Sequence, residues 1–597
     1  MKKIVSVGLI WTLLFSMSVS VFGQELINIL PSGISYDEVG TSIENIVLEN
    51  EATTAGVAVA IFDRNRVIYE NSFGYADVEN QLKVDSQTVF DWGSSSKLLV
   101  WVSVMQLWEQ GKINLNQDIR TYLPEGFLHN IDYEEPVTMK HLMNHTAGFQ
   151  EIVSDLFLKD KKNVLSLGDA LKKCEPEQIY EPGTVTAYSN WGVALAGYIV
   201  ESISGIPYDQ YVRENIFEPL GMRHTAISVD LSDNERVSKE RDKLQSYTKE
   251  GKLLPDSFYY IQLYPAGSCV GTLDDFRKFA QALVSTDNEK SELFDKKTTL
   301  EQMLSPTAYY GDTGIPSNYH GFWGIEYSIS VLGHGGNTAG CSSNLMIDKN
   351  SGVGIVVMTN QQNESIYNWD MLNLIFGSFK DSQYADYNTS APKGFFRTAR
   401  TITKGPLSIY SVSIHNMEED ELDSFWIYTE ENGIEKQINP YGDMLKLKPS
   451  EYIPMIILVI FSASGIIYSL IILVVGGLII TPVSNMINKK RGRTIAPSAT
   501  RKWNYLACGL QLIWGINIAM LYYQVTKYAP SEHYTWQFVV NGIIAIAIIV
   551  MIAFLIAKRK TIFYSKKEKA RCITTSIFLF MALLAIQYWH MYEFWAL

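Results

Sequence analysis

Apolar and polar positions divide the chain into two regimes. Near the C-terminus four apolar runs, about 454–481, 504–525, 537–557 and 573–592, are each long enough to cross ~30 Å of hydrocarbon as a helix. Before them the apolar residues come in short periodic groups. Ala55-Gly56-Val57-Ala58-Val59-Ala60-Ile61-Phe62, a break at Asp63-Arg64-Asn65, and Val67-Ile68-Tyr69 predict a β-hairpin. Residues 95–111 predict a helix carrying Leu98, Leu99, Val102, Met105 and Leu107 and closed by Gly111. Val137–Leu142 and His145-Thr146-Ala147-Gly148 predict a short helix and turn. Trp191–Ser204 predicts a helix ended by Gly205, and Asp274–Val284 another, capped by Thr272. Strands are expected at 321–331, 341–348 and 353–359. Strands at both ends with helices between them predict an α+β or α/β sandwich, in which both ends are candidates for one sheet. Residues 385–450 differ again: Pro392, Gly394 and Pro406 are followed by short alternating runs such as Ile409–Ile414 and Phe425–Tyr428, which predict a small β-rich spacer.

Charge sharpens this division. Residues 451–597 carry 14 Lys+Arg and 4 Asp+Glu, a net of +10. The chain totals of 50 and 63 leave 36 basic and 59 acidic residues before position 451, a net of −23. A basic apolar tail on an acidic body is expected to be a separate membrane unit, and the acidic body lacks the clustered cations that nucleic acid requires. Met1-Lys2-Lys3, an apolar run from Ile4 to about Val21 and then Phe22-Gly23-Gln24 read as a signal peptide over 1–23, with an uncleaved anchor helix as the alternative. The loop after the first C-terminal run holds Lys489, Lys490, Arg491, Arg493, Arg501 and Lys502. The loop after the third holds Lys558, Arg559, Lys560, Lys566, Lys567, Lys569 and Arg571, whereas the loop between them has only Lys527. Positive loops stay inside, so residues 24–450 are expected on the extracytoplasmic face of a multi-pass protein of the bacterial cell membrane. Of the five cysteines, three (Cys174, Cys269 and Cys341) precede the membrane region, and none forms a CxxC pair. Buried free thiols are expected rather than a disulfide framework.

Three short motifs carry chemistry. In Asp91-Trp92-Gly93-Ser94-Ser95-Ser96-Lys97, Ser94 and Lys97 stand three apart at a helix start, which puts both side chains on one face. A serine hydroxyl needs a base, and a lysine of depressed pKa supplies one. Glu181-Pro182-Gly183 precedes Tyr188-Ser189-Asn190, where Tyr188 suits proton transfer and Asn190 suits donation to a substrate amide. Gly333-His334-Gly335-Gly336-Asn337 precedes an apolar strand. Its glycines permit close backbone approach, and His334 would supply a donor or a positive charge. Taken singly, each motif also has a bland reading: a chance S-x-x-K, a core Tyr with a turn Asn, an exposed turn His.

In the order S-x-x-K, Y-x-N, H-x-G the three together resemble the class C β-lactamase and DD-peptidase family of serine hydrolases. Supporting stretches include Trp108-Glu109-Gln110-Gly111, Tyr122-Leu123-Pro124, His145-Thr146-Ala147-Gly148, Phe217-Glu218-Pro219-Leu220-Gly221-Met222 and Pro265-Ala266-Gly267. The resemblance covers roughly residues 40–365. It implies a β-lactamase/transpeptidase-like α+β fold, an α/β sandwich with an all-helical subdomain, over 24–384. It also implies Ser94 as nucleophile, Lys97 and Tyr188 as base and acid, Asn190, His334 and Gly336 as substrate-binding residues, and the backbone N–H groups of Ser94 and Asn337 as an oxyanion hole. No metal or other cofactor is implied. Many members have Lys-Thr-Gly where this chain has His334-Gly335-Gly336, so a peptidase or esterase is expected rather than an efficient β-lactamase. The implied substrates are small peptides or esters, the peptides containing a D-residue. The layout also resembles the membrane peptidases that mature non-ribosomal peptide prodrugs. A catalytically silent recognition protein is the alternative from another class. A transport path is disfavoured by the scarcity of ionisable residues at the helix centres; anchoring, or contact with membrane lipid and amphiphiles, fits better.

Overall fold

The computed structural model describes residues 28–284, 291–384, 393–412, 414–417, 427–431, 433–492, 499–558 and 566–596. The expected signal peptide at 1–23 lies outside the described residues. Six strands make the body of an antiparallel sheet: β1 (Gly56–Phe62), β2 (Val67–Asp77), β3 (Phe322–Glu326), β4 (Ser330–Asn337), β5 (Ser342–Ile347) and β6 (Gly354–Thr359). Their order is β2-β1-β6-β5-β4-β3, and short strands extend both edges to nine. β1 pairs with β6, Val57 opposite Thr359 and Phe62 opposite Gly354, so the two ends of this unit do share one sheet.

Both faces of β1 are covered, and its alternation sorts them. Val57, Val59 and Ile61 join Ile355 and Val357 of β6 in a cluster with Val39 and Ile43 of α1 (Tyr36–Glu49). Ala58, Ala60 and Phe62 point the other way, into the main core that holds Phe276 and Phe279 of α4 (Leu273–Ala282). Thr272 caps α4 by accepting from the Asp275 N–H, as the sequence predicts.

The helical layer is built on α2 (Lys97–Glu109) and α3 (Asn190–Ser204). Every residue of α2 from Lys97 to Leu107 is buried, so it is a central helix rather than a surface one. Gly205 ends α3 at φ 77°, a left-handed turn that favours glycine.

The run at 321–331 is not one strand. A turn at Tyr327, whose N–H donates to the Ile329 carbonyl (2.9 Å), splits it into β3 and β4. Gly333-His334-Gly335-Gly336 therefore lies inside a strand, β4, as well as before the apolar strand β5. Trp323 faces Gly333, and Gly336 faces Ser343. The glycines are needed there because other groups come too close for side chains. A Cβ on Gly333 would sit 1.8 Å from the Leu345 carbonyl oxygen, and one on Gly336 would sit 2.0 Å from that of Trp92.

The described residues of 394–446 form a five-stranded sheet that docks on the unit built around the larger sheet rather than standing apart from it. Gly442 bridges Ala187, and the Asp443 N–H donates to the Thr186 carbonyl (2.8 Å). The Asp443 carboxylate accepts from the Thr186 N–H (3.0 Å) and pairs with Lys436 (3.3 Å).

Among the described residues four helices are long and apolar enough to cross a membrane: α5 (Pro449–Lys490), α6 (Ala499–Thr526), α7 (Ser531–Ala557) and α8 (Lys566–Tyr588). The fourth stops short of the expected 592 because the chain turns at Trp589–Met591. Within the bundle Asn517 donates to Asn541 (2.9 Å) and to the Gln537 carbonyl (2.8 Å), and Gly465 admits the Gln511 amide where a Cβ would be 2.0 Å from it. All five cysteines are buried and free.

The approach of β4 to the turn before α2 yields a direct prediction. In Gly336→Ala the new Cβ meets backbone, which cannot swing aside as a side chain can. The unfolding temperature should fall, and covalent labelling of Ser94 by a phosphonate probe should slow by about 10²-fold. Thermal melts and intact-mass kinetics on the detergent-solubilised chain measure both. Unchanged values would mean that β4 can retreat without consequence.

Candidate active site

The nucleophile candidate stands in a 3-10 turn, Gly93–Ser96, that runs into α2. Trp92 holds the turn from below, fully buried, with its ring 4.2 Å from Phe276. Gly93 takes φ 52°, and a Cβ there would meet the Asn337 backbone at 2.8 Å. On the other side a Cβ on Gly336 would lie 3.0 Å from the Ser94 nitrogen. The end of β4 and the nucleophile turn are thus pressed backbone to backbone. A buried ion pair pins the same junction: Asp91 receives Arg241 Nε at 2.5 Å and Nη2 at 3.0 Å, and Thr338 Oγ1 donates to Asp91 at 3.2 Å.

Lys97 is sealed from solvent. Its Nζ lies 3.0 Å from Ser94 Oγ, 2.8 Å from Asn190 Oδ1 and 2.5 Å from the Ala266 carbonyl oxygen. Burial pushes its pKa well below the ordinary lysine value, and the nearby Arg400 guanidinium adds to the effect. A neutral amine has two hydrogens and one lone pair. In that form the hydrogens would go to Asn190 and Ala266, which can only accept, and the lone pair would face the Ser94 hydroxyl, which can donate.

The Tyr188 hydroxyl hydrogen-bonds to the Ser94 side chain, and burial raises its pKa more than Ser94 and Arg400 lower it. Tyr188 is therefore a phenol, a proton carrier rather than a standing base. The resemblance has Lys97 and Tyr188 share general base and acid work. Here the environment makes the amine the base and keeps the phenol protonated.

His334 departs furthest from expectation. Its ring is wholly buried and stacks on Trp323 at 3.9 Å. Nδ1 lies 2.6 Å from the Gly335 carbonyl oxygen, which fixes the proton on Nδ1. Burial pulls its pKa to about 3, so it carries no positive charge near neutral pH. His145 is depressed in the same way by burial, and its ring lies 4.4 Å from that of Tyr188.

These groups border a cleft of about 370 Å³ whose wall includes Ser94, Tyr188, Asn190, Gly335 and Asn337. His334 and Gly336 lie behind that wall. Sequence reasoning missed several of its other residues. Arg400, from the docked sheet, lies 4.9 Å from the Tyr188 ring and 4.6 Å from the Tyr441 ring and pairs through Nε with Glu151. Trp323 and Trp369 form another side, while Val525 and Tyr528 come from the α6–α7 hairpin. A lone arginine outside any motif gives no sequence signal, and Val525 reads as membrane-helix filler.

Residues 44–370 match the family model described as Beta-lactamase. Among curated proteins the chain is similar to the putative penicillin-binding protein PbpX of Bacillus subtilis (strain 168), 29% identical over 46% of this chain and 65% of that one. It is also similar to Protein flp of Staphylococcus aureus (strain MRSA252), 22% identical over 56% and 64%. The chain thus spans just under two thirds of the length of these relatives. Among solved structures it is similar to EstCE1, a hydrolase with promiscuous acyltransferase activity (TM-score 0.48, 20% identity, covering 57% of this chain and 99% of that one). A D-amino acid amidase from Ochrobactrum anthropi SV3 is similar too (TM-score 0.46, 22% identity, 55% and 93%). The family match takes in more than half of the chain and all three motifs, and the chain belongs to the β-lactamase and penicillin-binding-protein family of serine hydrolases.

Proposed function

We propose that this protein is a membrane-anchored, extracytoplasmic serine hydrolase that opens amide or ester bonds through a Ser94 acyl-enzyme. The observation that carries this reading is the setting of Lys97: a fully buried amine, its pKa pushed down by that burial, with Nζ 3.0 Å from Ser94 Oγ, and with Asn190 Oδ1 and the Ala266 carbonyl oxygen as its other neighbours. As Oγ bonds to the substrate carbonyl carbon, its proton passes to Nζ. The oxyanion that forms is met by the Ser94 and Asn337 N–H groups at the junction of the nucleophile turn and β4. Tyr188 hands its proton to the departing amine or alcohol and is reprotonated from Lys97. Water then adds to the acyl carbon, its proton returns through the same pair, and Ser94 leaves with its hydroxyl restored. A catalytically silent recognition protein has no use for an amine held in this state.

Peptides containing a D-residue, of cell-wall or prodrug type, are the substrates this family reading favours. Small esters are the second choice. Efficient β-lactam hydrolysis is disfavoured because His334 is neutral and buried where a lysine would present a cation. Arg400, paired with Glu151, brings a cation to the cleft instead, and its position beside Tyr188 supports a substrate carboxylate on the leaving-group side. The basic loops at both ends of the α6–α7 hairpin support a hydrolase outside the cell.

Covalent labelling by a fluorescent phosphonate or penicillin, read by intact mass, should occur in wild type and vanish in Ser94→Ala. Labelling that survives the substitution defeats the proposal. The rate should rise with pH through the depressed Lys97 pKa and be lost as pH falls, because protonation fills the lone pair that receives the Ser94 proton. Lys97→Arg, whose guanidinium stays protonated, should cost at least about 10²-fold at every pH. His334, already neutral, should add no limb between pH 5 and pH 8 (the range where an ordinary histidine titrates).

In Arg400→Gln the rising limb should move to higher pH, since a charge that disfavours the Lys97 ammonium is gone. KM for a carboxylate-ended peptide should rise about tenfold relative to its amide. A pH series of kcat/KM on the two substrates tests both effects.

A further inference from the structure

The active-site cleft is not built by the hydrolase unit alone. One wall is the segment Glu151–Phe157, and behind it stands the turn between two membrane helices, with Val525 and Tyr528 reaching the cleft itself. This contact is tied at several points. Tyr528 packs its ring 4.6 Å from Phe157 and 5.3 Å from Tyr259. The Ser531 N–H lies 3.4 Å from Asp155, and Lys173 spans Asp155 (3.1 Å) and Glu532 (3.6 Å). Val525 belongs to an apolar cluster with Leu521, Tyr534 and Phe538 of the helices and Ile402 and Leu407 of the docked sheet, against which Val153 packs. Glu151 and Arg400 are the charged side chains on the cleft wall, whereas Ile152, Val153, Leu156, Phe157, Val525 and Tyr528 make a continuous apolar side.

That side is oriented by the membrane. α6 ends at Thr526 and α7 begins at Ser531, so Val525 and Tyr528 lie at the outer margin of the hydrophobic span. An apolar cleft wall that runs from the nucleophile to residues at a bilayer margin suits a molecule that is itself divided in this way. Resting on the hydrolase reading above, we propose that the substrate is an amphiphile whose hydrocarbon arm lies in the cleft along the wall formed jointly by the 152–157 segment and the α6–α7 hairpin while its scissile carbonyl sits at Ser94. The membrane unit then contributes part of the substrate site, and a substrate partitioned into the outer leaflet reaches Ser94 without leaving the surface.

The test uses the full chain in nanodiscs and two matched ester series with two to ten carbons, one lengthened on the acyl side and one on the alcohol side. All are used below their aggregation concentrations. Full burial of a methylene is worth about fourfold in binding, so kcat/KM in one series should climb several-fold per added pair of carbons until the arm is filled. Partitioning into the nanodisc raises the slope equally in any variant, so the decisive reading is the slope in Val525→Thr and Tyr528→Ser. Both substitutions put a hydroxyl where the arm would lie, and both should flatten the climb. Slopes equal to wild type in both variants, or no climb in either wild-type series, overturn the inference. Turnover of the two-carbon esters that disappears in Ser94→Ala shows that the hydrolase reading stands even then. Turnover of no ester at all, with no phosphonate labelling, removes that reading and this inference together.

Discussion

The desolvation of one amine organises this protein. A lysine with no contact with water cannot cheaply hold a charge, and its nitrogen resolves the conflict by becoming a base. Each side of its enclosure comes from a different part of the chain. α2 carries it and is buried all around. α3 supplies Asn190 at its first turn, and the Tyr264–Ala266 turn supplies a carbonyl oxygen. The docked sheet adds Arg400, whose positive charge pushes in the same direction as burial. A loss of any one of these loosens the enclosure or lets water in, so the pKa of Lys97 reports on packing across the whole cleft.

The second constraint is one of space. An oxyanion site made from two backbone N–H groups demands that two chains meet with no side chain between them. Gly93 and Gly336 meet that demand from opposite sides, and the buried Asp91–Arg241 pair with Thr338 holds the two segments in register. A buried ion pair is weak evidence for net stability, but separating its members would strand a charge in the interior. Its value here is positional: it joins the residue three before Ser94 to the residue after Asn337.

This division explains what the sequence revealed. Motifs whose spacing is local were legible: Ser94 with Lys97, Tyr188 with Asn190, the Thr272 cap and the Gly205 stop each rest on geometry within a few residues. The α1–β1 packing and the β1–β6 pairing followed less directly, since apolar alternation marks strands but does not name their partners. His334 was misjudged in one respect. Next to glycines it looked like a turn residue bearing charge, but pairing of β3 with β4 puts Trp323 over its ring and removes it from water. Arg400, Tyr441 and Val525 were invisible because their roles arise from docking between distant segments, which leaves no period or spacing in the chain.

Residues 394–446 show most clearly how such docking changes a reading. As a spacer they would need only length. Instead Asp443 is fully buried and takes up the Thr186 N–H two residues before Tyr188, while Lys436 donates to the Thr184 carbonyl at 2.8 Å. The segment that carries Tyr188 toward Ser94 is therefore held from outside by the docked sheet, and the same sheet leads directly into α5. Through α6 and α7 the apolar helices return to the cleft at Phe157 and Asp155, beside the docked sheet. The cleft is tied to the helical bundle at two points. Docking at both fixes the position of Ser94 relative to the apolar helices, which a flexible tether cannot do.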